Sequence, residues 1–285
     1  MSRKTTRRRL LRVGGTGTVA ALAGCLGGAP TGDGTGTDST DDGMENETMG
    51  DGMSGEPVTV TVRIENAAPT DFYGSDTPTG GAIWITPGAF AVHSGGNPIH
   101  TVGESASIGL EAQAEAGPPT GFPDERGLVE ELRGMEVVSA GAYTPEDTVA
   151  DPNDPMGEVP GAPPIAPDGA FEFDIEATAG TRLSFASMFV PSNDLFFSPG
   201  AEGIALWPEG EEPVEGDVTD AVQLFDAGTE PNAEPPGTGP DQAPAQDDPD
   251  QGGDEESVVR PLSEVDDGHD YPAVEDAIRV ELTPQ

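Results

Sequence analysis

Val58-Thr59-Val60-Thr61-Val62-Arg63-Ile64 alternates branched apolar and polar side chains, the period of two that marks a strand with one face buried. The same alternation returns at Ala170 to Ala177, with Phe171, Phe173 and Ile175 on one side and Glu172, Asp174 and Glu176 on the other. That pattern predicts an antiparallel strand with one wet face. Ala82 to Ile85, Ala89 to Val92, Met135 to Ala142 and Ala277 to Leu282 are shorter apolar runs that read as further strands, and Ala221 to Phe225 reads as a strand or a short helix. The densest run is Leu183-Ser-Phe-Ala-Ser-Met-Phe-Val190, which breaks at Pro191, where a strand loses a ladder donor and must turn. Gly180 turns the strand from Ala170 back into it, making a hairpin.

Helical spacing is confined to two short stretches, Ala106 to Ala116, capped by Ser105 or Ser107, and Gly127 to Arg133. Many short strands with few helices predict an all-β fold, an antiparallel β-sandwich with one or two short helices. Tyr143 to Asp168 is rich in Pro, Asp and Gly and is expected to connect rather than pack. Pro231 to Glu256 has a low-complexity Pro, Gly, Asp and Gln composition, which predicts a disordered insertion.

The first 56 residues follow other rules. Residues 1 to 28 read as a leader, in which Thr6-Arg-Arg-Arg-Leu-Leu-Arg12 matches a twin-arginine export signal and a small-residue apolar run ends in Leu22-Ala23-Gly24-Cys25. Such an ending is a lipobox, and Cys25 is the cysteine whose thiol would take the lipid. The expected location is therefore the outer face of the cell membrane, with lipid on Cys25 as the anchor. Residues 29 to 56 carry Gly, Thr, Ser, Asp, Glu and Met with almost nothing to bury, and so are expected to form a disordered acidic tether. As a coil that tether would hold a domain on the order of 30 Å from the lipid.

Charge changes the picture of partners. Six of the chain's 12 basic residues lie in the leader, which leaves six arginines against 53 acidic side chains, a net charge of about −47. Such a surface reads as adaptation to a very salty milieu, where the Debye length falls to about 3 Å and charge cannot steer a distant partner. Nucleic acid is excluded as a partner. Cys25 is the only cysteine, so the exported chain has neither a disulfide nor a thiolate for a blue-copper centre. The three histidines, His93, His100 and His269, stand in no hydrolase or metalloprotease spacing, and the expectation is a binding module rather than an enzyme.

Two apolar strand ends run into carboxylates: Pro191-Ser192-Asn193-Asp194, and Phe225-Asp226-Ala227-Gly228-Thr229-Glu230. Calcium takes six to eight oxygens from loops held by rigid elements, and Asp194, Asp226 and Glu230 are the candidate metal ligands, with Gly228 letting the second loop fold back. Phe185-Ala-Ser-Met-Phe-Val-Pro-Ser-Asn-Asp-Leu-Phe-Phe197 followed by Asp226-Ala-Gly-Thr-Glu230 resembles the strand and loops of the spondin N-terminal domain, the module of F-spondin and mindin. Ile85 to His93 and Gly103 to Gly117 are similar to blocks of prokaryotic members, in the same order, and the likeness covers roughly residues 57 to 285. It implies a C2-like fold, calcium on Asp194 and Asp226, and adhesion or matrix binding to an extracellular glycan or protein. Glu230 stands where the family has a second aspartate. The other reading left open is a general solute- or polymer-binding surface lipoprotein whose metal, if any, is structural.

Overall fold

The computed structural model describes residues 56–123, 125–150, 164–247 and 251–285. The expected leader, Cys25 and the expected tether through residue 55 lie outside them. The alternating N-terminal stretch forms β1 (Val58–Asn66), with Val60, Val62 and Ile64 fully buried. It sits between β5 (Ala170–Ala177) and β12 (Ile278–Pro284), in a register that sets Val62 beside Phe173 and Leu282, and Ile64 beside Phe171 and Val280. All six side chains belong to one buried apolar cluster. On the wet face the same ladder pairs polar groups: Thr61 Oγ1 donates to Asp174 at 2.6 Å, and Arg63 meets Glu172 at 2.8 Å. Period two thus sorts the strand into a core side and a solvent side. Short strands β4 (Thr148–Ala150) and β9 (Gly216–Asp217) complete this antiparallel sheet, in the order β4-β5-β1-β12-β9.

A second antiparallel sheet packs across that core. It contains β2 (Trp84–His93), β3 (Ser139–Tyr143), β6 (Arg182–Val190), β7 (Leu195–Pro199), β10 (Val222–Asp226) and β11 (Arg260–Pro261). Its order is β11-β10-β7-β6-β2-β3, with β8 (Ile204–Ala205) also paired to β6. The described residues therefore make an all-β sandwich, as the strand spacing predicts. Leu183, Phe185 and Phe189 of β6 join the core between the sheets, while Ala186 belongs to a second cluster. That cluster lies under α1 (Ile108–Ala116) and α2 (Leu128–Arg133), through Leu110, Ala114, Leu128 and Leu132. Covered on both faces, β6 has no wet side, which is why its sequence is a continuous run and not an alternation.

Helix α1 starts two residues inside the expected stretch, at the second of its two candidate caps: Ser107 Oγ accepts from Leu110 N at 3.1 Å, and Gly117 ends it in the left-handed region at φ 88°. Gln113 then ties it to the sheet, donating from Nε2 to Pro87 O at 3.1 Å and Thr86 Oγ1 at 3.2 Å. Thr86 and Pro87 occupy an irregularity between Ile85 and Gly88 that lets the two expected strands at 82–85 and 89–92 run on as one.

Three expectations need correction. The strand expected from Met135 begins only at Ser139, because Met135 and Val137 are held in tight turns after α2. The Tyr143 to Asp168 connection does pack where it is described: Tyr143 is fully buried and stacked 4.9 Å from Phe173, and Ile165 bridges Ile85. The third concerns the insertion expected to be disordered over 231–256. Its described residues are folded against the strand ends, with Gln242 and Ala243 buried. Composition misleads here because the segment is held largely by hydrogen bonds, with Ala243 its one residue in a buried apolar cluster, beside Trp84 and Met188. Gln242 Oε1 accepts from the backbone of Gly237 at 2.7 Å and of Thr238 and Gly239 at 3.1 Å, closing a polar knot on one side chain.

Candidate functional site

Strands β7 and β10 pair so that Leu195 lies opposite Asp226, which brings the loop before β7 and the loop after β10 to the same end of the sheet. Asp194 and Asp226 are both fully buried there, and Glu230 is nearly so. All three carboxylates therefore lie at one end of the sheet. Gly228, at φ 69°, makes the turn: its N–H donates to Asp226 Oδ1 at 2.7 Å, and the chain folds back over Asp194. Asp194 Oδ2 then accepts from Thr229 N at 2.8 Å, Glu230 N at 3.1 Å and Thr229 Oγ1 at 3.2 Å. Asp194 Oδ1, equally buried, has no hydrogen-bond partner.

Asp226 is satisfied differently. Its Oδ2 accepts from Asn232 Nδ2 at 2.7 Å and forms an ion pair with Arg260 Nη2 at 3.2 Å. Glu230 Oε1 accepts from Gly252 N at 2.9 Å, and Oε2 receives Asn193 Nδ2 at 3.4 Å. Burial pushes the Asp194 carboxyl up to about 8, the Asp226 charge adds to the rise, and the backbone donors of Glu230 and Thr229 oppose it. Asp226 is also raised by burial, with Arg260 pulling the other way. Two acids crowded at one buried point resist ionising together.

The donor chemistry fits a hard cation in part. An orphaned carboxylate oxygen beside a second buried carboxylate is an unmet demand for positive charge. Among the described residues, however, no three His, Cys, Asp or Glu side chains are gathered as a metal-ligating group. Asp226 is turned to Arg260, and Glu230 to Gly252. Arg260 and Asn232 carry this arrangement and went unnoticed in the sequence; one of only six arginines after residue 28, in an acidic stretch, was the available signal.

His93 is a hydrogen-bonded residue at the edge of the core, with Nδ1 3.0 Å from Gly95 O and Nε2 2.9 Å from Ser184 Oγ. Both side chains are buried. Phe185, Phe189, Phe196 and Phe197 are all core. Beside the acidic cluster, a cleft of about 470 Å³ is lined by residues that include Leu224, Pro261, His269 and Tyr271. His269 Nε2 lies 3.2 Å from the carbonyl of Asn232, which links cleft and cluster. No helix among the described residues is long and apolar enough to cross a membrane.

Neither a scan against models of protein families nor a search of curated proteins finds a match for this chain.

Proposed function

We propose that this chain is a lipid-anchored cell-surface protein whose folded part is a spondin-like, calcium-binding module for adhesion or matrix binding. The observation that carries the calcium reading is Asp194 Oδ1, fully buried, without a partner, and next to a second buried carboxylate. Asp194 and Asp226 would hold the ion, with Glu230 nearby on the same loop. Calcium there would supply the charge that lets both carboxylates ionise and clamps two loops that otherwise repel. The leader, the lipobox at Cys25 and the acidic composition support an anchored protein in concentrated salt. The block order shared with the spondin domain supports the adhesion reading. The open cleft beside the cluster supports the other one, solute binding with a structural metal.

Melting temperature against calcium at fixed ionic strength tests the metal. A ligand at a hundredfold excess over its Kd stabilises the fold by about 2.7 kcal/mol. Asp226→Asn should remove most of the calcium-dependent rise, while Asp247→Asn, on an exposed residue, should keep it. Equal responses would make calcium a diffuse counterion and end the reading. A pull-down with extracellular glycans and surface-layer protein then separates adhesion from solute binding, because adhesion requires a macromolecular partner.

A further inference from the structure

Arg260 reaches the acidic cluster from the edge strand β11, whose Arg260 lies opposite Asp226 in the ladder. Its Nη2 is shared between Asp226 Oδ2 at 3.2 Å and Glu255 Oε1 at 3.3 Å, and its Nη1 donates to Ser257 Oγ at 3.0 Å. One carboxylate of the pair it bridges is wholly buried and the other is part-exposed. Arg260 Nε, like Asp194 Oδ1, is buried without a hydrogen-bond partner. The cluster thus holds an unmet acceptor and an unmet donor, and its one guanidinium sits astride two alternative anions.

We propose that Arg260 is a tethered competitor cation: its ion pair with Asp226 opposes a divalent ion there, and release of the guanidinium to Glu255 admits one. This deepens the calcium reading above and rests on it. A guanidinium stays charged at any pH the fold survives, so its repulsion of an ion sharing Asp226 is permanent. At a separation of several ångströms and an effective dielectric constant of about 20, that repulsion is large enough to weaken the ion's affinity by about tenfold or more. The side chain is 29% exposed, so it has room to move without unpacking the core. Glu255 also belongs to the loop itself, its N–H donating to Thr229 O at 2.7 Å, which keeps the second anion in place whichever way the guanidinium turns.

Calorimetric titration of the full chain in detergent with calcium chloride, at constant ionic strength, tests this. Arg260→Gln should bind calcium about tenfold more tightly than the unaltered protein, and Arg260→Lys, which restores a charge, should return most of the way. Glu255→Gln removes the alternative anion and should weaken binding by about threefold or more, so it carries the same question if Arg260→Gln fails to fold. Calcium binding that is unchanged or weaker in Arg260→Gln, or unchanged or tighter in Glu255→Gln, overturns the competitor role and leaves the calcium reading standing. No binding in any of these proteins removes the calcium reading and the competitor with it.

Discussion

Gln242 donates from Nε2 to Asn193 Oδ1 at 3.2 Å, and so fastens a segment of Pro, Gly and Asp to the loop that carries Asp194. Ala243 N adds a second tie to Ser192 O at 3.1 Å. The ordering of this segment and the shape of the acidic cluster are therefore one problem.

Replacing Gln242 by Ala leaves the N–H groups of Gly237 and Gly239 without their shared acceptor, while exposed Thr238 keeps a second one in Pro235 O at 3.0 Å. Each buried donor left unmet costs about 1–3 kcal/mol, with water recovering part of it where the segment opens. Amide exchange should accelerate across 237–246 and stay slow in β6. Equally slow exchange in both regions would show that Gln242 does not hold the segment.

Gly88 follows the irregularity in β2, opposite Ser187 and Tyr143 in the two ladders. A Cβ there would run into the carbonyl oxygen of Ala186 and the Tyr143 hydroxyl, and neither can retreat from a fully buried position. Gly88→Ala should destabilise the fold by about 3 kcal/mol, read from denaturant midpoints. Gly80→Ala is a control for a loop glycine: its Cβ meets open space, and only the φ of 68° is strained.

His100 packs against Phe225 and Phe196, with ring centres 4.3 and 5.6 Å away. Burial holds its imidazole down at about 4, with a hydrogen bond to Pro199 O opposing. The unfolded chain takes up the proton near the ordinary value of about 6.5 and the folded chain does so only near 4. This contribution is therefore fully present above about pH 6.5 and is lost as pH falls toward 4, amounting to on the order of 3 kcal/mol. His100→Gln, which keeps an amide donor for Pro199 O, should flatten the fall in stability over that window. An unchanged fall would assign it to carboxylates alone.

Cys25 lies outside the described residues, and its role is tested in the cell. On the proposed anchoring, Cys25→Ser should move the protein from the membrane fraction to the medium. A variant that stays with the membrane would remove the lipid anchor from the proposal.

Much of the sandwich was legible along the chain. Strand β1 and strand β5 could be read residue by residue because one face of each is wet, so the period of two survives in the sequence. Strand β6 was legible as buried but not as to what buried it, since covering both faces erases the period. Asp194, Asp226 and Glu230 could be picked out because each follows an apolar strand end. Their meeting was decided by the β7 to β10 register and by the φ of Gly228. Gln242 was not legible at all, and Arg260 only as a rare arginine in an acidic stretch, with nothing to say what it meets. Both act across tens of residues, through one side chain satisfying several groups, and a hydrogen bond between distant loops leaves no period in the sequence. By itself, the sequence determined which residues seek the core, where the chain turns and where acids follow strand ends. Only the tertiary structure decided which buried charges face one another, because burial without a compensating partner is a property of neighbours in space.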